Sequence, residues 1–151
     1  MSPVTKEQVS SLRTAAIRHL SRREYSRLEL ANKLVKGCSP EPEILEAVLV
    51  QLEREGLQSD LRFAEMMLVS RIRRGKGLQR IQQELKQKGV SEEIVNGALR
   101  QASIDWFELA RSVALKKFGE EPPADWAERG RRSRFLQYRG FSSDQISYAL
   151  G

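Results

Sequence analysis

One cysteine and one histidine are all that this 151-residue chain offers for thiol or imidazole chemistry. Cys38 has no internal partner, so no disulfide forms within the chain, and a reducing cytoplasm is the expected location. His19 stands without a second histidine, which leaves a His/Cys metal cluster with too few ligands. A Ser-His-Asp site is formally possible. Nothing resembles a strand-to-helix nucleophile elbow, however, so His19 reads as a helix-surface residue. The acids Glu92 with Glu93 and Glu120 with Glu121 read as helix-start and loop residues, not as paired catalytic carboxylates. No apolar run approaches the ~18–20 residues of a membrane span, and the N-terminus does not read as a signal peptide. No segment alternates like a strand. These absences point away from an enzyme, a cofactor and a membrane, and toward an all-α protein.

What the chain does have is repetition. Lys88-Gly89-Val90-Ser91-Glu92-Glu93-Ile94-Val95-Asn96-Gly97-Ala98-Leu99 returns as Arg139-Gly140-Phe141-Ser142-Ser143-Asp144-Gln145-Ile146-Ser147-Tyr148-Ala149-Leu150, an offset of 51 residues. The same offset carries Leu34 to Leu85 and Leu85 to Leu136, and a cruder copy runs from Gly37 to Leu49. A fixed period of roughly 45–50 residues means one small unit used three times. The expected divisions are 1–58, 59–103 and 104–151, each a three-helix repeat. So small a unit buries little core alone, so neighbours are expected to lean on each other.

Helices are expected at about 4–21, 26–36, 41–55, 60–74, 78–88, 92–101, 104–118, 124–139 and 143–150. Thr5 to Gln8, Ser26 to Glu29 and Ser142 to Gln145 have the spacing of a capping box, with an N-cap hydroxyl three residues before Glu or Gln. Apolar pairs sit at the staple positions of three helix starts: Tyr25 with Leu30, Val90 with Val95, Phe141 with Ile146. Gly37, Gly56, Gly75 with Gly77, Gly89, Gly119 and Gly140 lie where helices should stop. Asp60 sits where a carboxylate would face the free amides of a helix start. Leu136 and Trp126 fall at core spacing, whereas Phe135 and Tyr138 suit either a core or a stacking role.

Charge is patterned more sharply than the net of +6 suggests. Over residues 71–88, in the second unit, Arg71, Arg73, Arg74, Lys76, Arg80, Lys86 and Lys88 stand against a single acid, Glu84. Over residues 129–139, in the third, Arg129, Arg131, Arg132, Arg134 and Arg139 stand against none. Over residues 18–36, in the first, Arg18, Arg22, Arg23, Arg27, Lys33 and Lys36 stand against Glu24 and Glu29. Positive charge gathered once per unit points to a polyanion or an acidic protein surface. The turn Arg73-Arg74-Gly75-Lys76-Gly77 is expected to contact an anion, with glycine amides approaching a phosphate. It is not a nucleotide P-loop, because the GxxxxGK[ST] spacing and a preceding strand are missing. The arginines of 129–139 are expected to be exposed, interleaved with aromatics that suit single-stranded nucleic acid.

Four segments in order carry a resemblance to a known family. They are Arg23-Glu24-Tyr25-Ser26-Arg27-Leu28-Glu29-Leu30; Gly56-Leu57 through Asp60-Leu61-Arg62-Phe63-Ala64; Arg74-Gly75-Lys76-Gly77 with Ile81, Glu84, Leu85, Lys88, Gly89 and Val90; and Phe135-Leu136 with Arg139-Gly140-Phe141-Ser142. Over nearly its whole length the chain resembles the RecX family, bacterial regulators of the recombinase RecA. The family often has two acids before Arg-Phe-Ala; here Ser59 precedes Asp60. The resemblance implies three tandem three-helix repeats in an elongated, curved body that binds along the groove of the RecA–DNA filament. It implies inhibition of ATP hydrolysis, strand exchange and coprotease activity, and a place in DNA repair, recombination and the SOS response. The expected partner is therefore the RecA filament, with weaker, charge-driven contact to single- and double-stranded DNA and the regulator itself a monomer. The bases of 71–88 and 129–139 named above would be the contacts. The alternative is a freestanding nucleic-acid-binding protein of helix-turn-helix-like units.

Overall fold

The structure, a computed structural model, is described over residues 2–151. Nine helices and no strand occur among the described residues. They are α1 (Pro3–Leu20), α2 (Arg27–Cys38), α3 (Pro42–Arg54), α4 (Asp60–Arg73), α5 (Leu78–Gln87), α6 (Glu92–Ala102), α7 (Trp106–Phe118), α8 (Trp126–Tyr138) and α9 (Ser143–Leu150). Each expected helix is present with its ends within two residues. By packing, the chain divides into two compact units. One holds the chain through Met66 together with Lys86–Val95; the other holds Met67–Leu85 with Asn96–Gly151.

The first unit is built on α1, α2 and α3, which bury Leu12, Ala16, Tyr25, Leu30, Leu34, Val48, Leu49 and Leu52 in one cluster. Burying each large side chain contributes about 1.5–3 kcal/mol. The α2 start is capped as its sequence predicts. Ser26 Oγ accepts from the Glu29 amide at 3.1 Å, and Glu29 Oε1 accepts from the Ser26 amide at 3.2 Å. Ser26 is buried, and its hydroxyl also donates to the Lys88 carbonyl at 2.8 Å. Tyr25 and Leu30, the staple pair, lie in the same core cluster.

Three sequence expectations change here. The hydroxyl that caps α1 belongs to Ser2, which accepts from the Thr5 amide, so Thr5 lies inside the helix. Gly37 does not stop α2; the helix runs to Cys38, and Ser39 takes the left-handed conformation at φ 45°. Asp60 serves a different helix from its own. Its Oδ1 accepts from the Arg27 amide at 2.8 Å, in the first turn of α2, while Ser59 accepts from the Arg62 amide at the start of α4. Gln58, only 2% exposed, joins the two ends: its Nε2 donates to Tyr25 O at 3.2 Å and to Asp60 Oδ1 at 2.9 Å.

Glu29 gives this unit a pH dependence. Burial pushes its carboxyl up, but the Lys88 ammonium at 3.0 Å, the Ser26 amide and the Arg23 guanidinium more than offset that and hold it below the ordinary range. A carboxylate with a lowered folded pKa stabilises the fold above its unfolded value of about 4.3, and that stability is lost as pH falls through the folded value. Urea midpoints measured from about pH 5 downward are therefore expected to fall less steeply in Glu29→Gln than in the native chain.

In the second unit α7 lies against α9. Ala110, Ala114, Leu136, Phe141 and Ile146 are buried together, with Leu109, Val113, Phe118 and Phe135 packed around them. Ser142 and Gln145 form the expected capping box, and Phe141 with Ile146 the expected staple. Trp126 is not core: it opens α8 and is 85% exposed, with no preceding helical turn to cover it. Phe135 is half-buried and meets Phe118 edge to face at 5.3 Å, whereas Tyr138 is 81% exposed.

Candidate cationic site

The start of α5 is docked on the end of α8 by close backbone contact. The Gly77 amide donates to Arg139 O at 2.7 Å and the Gln79 amide to Gly140 O at 3.2 Å. The free amides of one helix start thus satisfy the free carbonyls of another helix end, and their opposed partial charges meet. Glycine is required at both positions. A Cβ on Gly77 would lie 2.5 Å from Gly140 C and O, and a Cβ on Gly140 would lie 2.5 Å from Arg80 Cβ.

This docking corrects the phosphate reading of the 73–77 turn. The Gly75 amide donates to Ile72 O, the Lys76 amide to Arg71 O, and those of Gly77 and Gln79 to the α8 end. These amides are already paired, so any anion here meets side chains.

Those side chains converge. Arg139 Nη1 donates to Arg74 O, tying the α8 end to the turn, and Arg80 Nη1 donates to Tyr138 O at 3.0 Å. Burial lowers the Lys76 pKa, and the nearby guanidinium groups of Arg80, Arg139 and Arg71 lower it further against the opposing pull of Glu84. Arg73 and Arg74 are exposed. The structure therefore gathers Arg73, Arg74, Lys76, Arg80 and Arg139 into one patch of like charge.

The remaining candidates are placed differently. Arg71 is half-buried and pairs with Glu84 at 2.9 Å. Lys88, in the other unit, pairs with Glu29, and Lys86 is exposed there. Arg131 and Arg134 are exposed on α8, and Arg129 reaches the Gly151 carbonyl at 3.4 Å. Arg132 departs from the expectation of exposure. It is 7% exposed, donating to Glu121 O at 2.9 Å and Glu128 Oε1 at 2.8 Å, with its guanidinium 5.0 Å from the Phe118 ring centre. It fastens the 119–125 loop to α8 and is largely covered.

Two bases escaped the sequence reading. Lys116 and Lys117 lie in the last turn of α7 and line a cleft of about 480 Å³ with Arg73, Arg74 and Arg139. In sequence they lie outside the three basic segments, and Glu120 and Glu121 follow closely. The available signal was a lysine pair at the end of a helix, where cations are favoured.

Among the described residues no group of three or more His, Cys, Asp or Glu could hold a metal ion, and no helix is long and apolar enough to cross a membrane. Fold and surface together define a class: an all-helical protein of repeated three-helix elements that presents a cationic face. Residues 59–99 match the family model for the second three-helix domain of RecX, and residues 103–150 match the model for its third. The chain is 44% identical to the regulatory protein RecX of Halorhodospira halophila over 139 residues, 92% of this chain and 86% of that protein. Over 140 residues it is 45% identical to the regulatory protein RecX of Vibrio campbellii, covering 93% of this chain and 90% of that one. The crystal structure of RecX from Lactobacillus salivarius superposes with a TM-score of 0.80 at 21% identity, across 96% of each chain. The chain belongs to the RecX family of regulatory proteins.

Proposed function

We propose that the chain is a non-enzymatic negative regulator of RecA. It binds the groove of the RecA–DNA filament and inhibits ATP hydrolysis, strand exchange and coprotease activity. The observation that carries this reading is the patch of Arg73, Arg74, Lys76, Arg80 and Arg139 on a chain of the RecX family. Lys76 supports it directly. A lysine whose charge is opposed by three guanidinium neighbours gains most when an anion arrives. The patch contacts DNA phosphates or acidic filament side chains, without base readout. Three units, 1–58, 59–103 and 104–151, each add weak contacts, and linkage on one chain multiplies them through effective concentration. Bound across neighbouring subunits, the regulator blocks the rearrangements that ATP turnover needs. It acts as a monomer in the cytoplasm, with weaker charge-driven affinity for free DNA.

The test is ATP hydrolysis by RecA on single-stranded DNA with the protein titrated in. Turnover is expected to fall severalfold at saturation, and the combined variant Arg73→Glu, Arg74→Glu and Lys76→Glu is expected to need at least tenfold more protein. Unchanged turnover at saturating protein ends the proposal, and undiminished inhibition by the variant removes this surface from it. In the helix-turn-helix alternative the chain binds duplex DNA without RecA, with affinity falling steeply as salt rises.

A further inference from the structure

The cleft on the second unit has two chemically distinct parts. Its rim is cationic: Arg73, Arg74, Lys116, Lys117 and Arg139 line it beside Ser112, and no acid does. Its floor is apolar, made by Ile72, Leu109, Val113 and Phe135. A cationic rim alone suits any anion. An apolar floor beneath it calls for a ligand that brings carboxylates or phosphates together with an apolar group within a few ångströms.

We propose that this cleft is a docking site for a short acidic peptide segment carrying one large apolar side chain, which enters the floor while flanking carboxylates meet the rim. Charge complementarity fixes the sign of the occupant, and the floor separates protein from nucleic acid. A phosphodiester backbone has nothing to fill aliphatic space. A nucleobase stacks best on a free aromatic face, and the Phe135 ring is already met by Arg139 at 4.9 Å, Lys117 at 5.5 Å and Phe118 at 5.3 Å. The exposed aromatics Trp126 and Tyr138 do not line the cleft. A peptide also matches the size: about 480 Å³ admits one large side chain with its adjoining backbone. The rim arginines can take carboxylates in two-pronged fashion, and Arg139 keeps donors beyond the one spent on Arg74 O.

The experiment uses the full chain and a fluorescein-labelled synthetic peptide of about eight residues, rich in Asp and Glu with one central phenylalanine, read by anisotropy. It contains neither RecA nor ATP, so its outcome is independent of the regulatory proposal. Saturable binding is expected, weakened at least tenfold when alanine replaces the peptide's phenylalanine. Lys116→Glu with Lys117→Glu is expected to weaken it at least tenfold. Ser112→Trp, which fills the cleft from an exposed position on α7, is expected to do the same while leaving affinity for a thymidine oligonucleotide unchanged. All three substitutions are at exposed positions, and an unchanged melting curve shows that the fold is intact. Equal binding of the alanine peptide overturns the proposal, as does indifference to Ser112→Trp. Oligonucleotide affinity that falls with Ser112→Trp while peptide affinity does not would make the cleft a nucleic-acid site.

Discussion

Gly140→Ala is expected to remove about 4 kcal/mol or more of folding free energy, the range in which single substitutions are exceptional. Two causes add. At φ 102° an alanine is strained whatever space surrounds it. Its Cβ would also lie 2.5 Å from Arg80 Cβ and 2.6 Å from Arg80 N, and backbone cannot step aside as a flexible side chain can. Gly77→Ala meets the same crossing from the other side, 2.5 Å from Gly140 C and O. Gly56 supplies the control. It too has positive φ, at 73°, but nothing lies within 4 Å of its added Cβ, so alanine there carries conformational strain alone, about 1–2 kcal/mol. Urea denaturation followed by circular dichroism separates the cases. A Gly140→Ala chain no less stable than Gly56→Ala would mean that the α5–α8 docking is not a close backbone crossing. Function follows stability here, because the α8 end tied through Arg139 to Arg74 is what gathers the cationic patch.

Signals confined to a few neighbouring residues were legible in the sequence. The boxes at Ser26 and Ser142 and the staples at Tyr25 and Phe141 act within one helical turn, so spacing alone revealed them, and the helices followed. Apart from helix ends misplaced by a few residues, as at Thr5 and Gly37, most of what escaped depends on residues distant in the chain. Nothing near Gly77 says that its amide is taken by Arg139, so the turn read as an open phosphate cradle. Nothing near Arg132 says that the Glu121 carbonyl folds back onto it, so in sequence it reads like its exposed neighbours. Trp126 had core spacing but sits at the first position of α8, where periodicity has no earlier turn to work with. The patch itself was half legible. Arg73, Arg74 and Lys76 are contiguous and conspicuous, whereas Lys116 and Lys117 join them only through the packing of α7.

Asp60 shows the same division between local and distant signals, and its removal carries the second large effect. Its carboxylate holds the Arg27 amide at 2.8 Å and the Gln58 side chain at 2.9 Å. Asp60→Ala leaves one first-turn amide of α2 without its cap and one N–H of a buried amide side chain without its acceptor. Hydrogen bonds to charged groups contribute about 1.5–3 kcal/mol each, and an unsatisfied buried donor costs about 1–3 kcal/mol, so a net loss of about 3 kcal/mol is expected. Asp60→Asn should lose less, because its oxygen can still accept one of the two bonds. Gln58→Leu removes the donor from the other side and strips Tyr25 O of its partner. Since both substitutions break the same 2.9 Å bond, their effects should not add. The double variant Asp60→Ala with Gln58→Leu is expected to be more stable than the sum of the single losses predicts, by about 1 kcal/mol. Unfolding midpoints of the four chains measure that coupling directly. Strict additivity would mean that Asp60 caps α2 on its own and that Gln58 does not bridge the two helix starts.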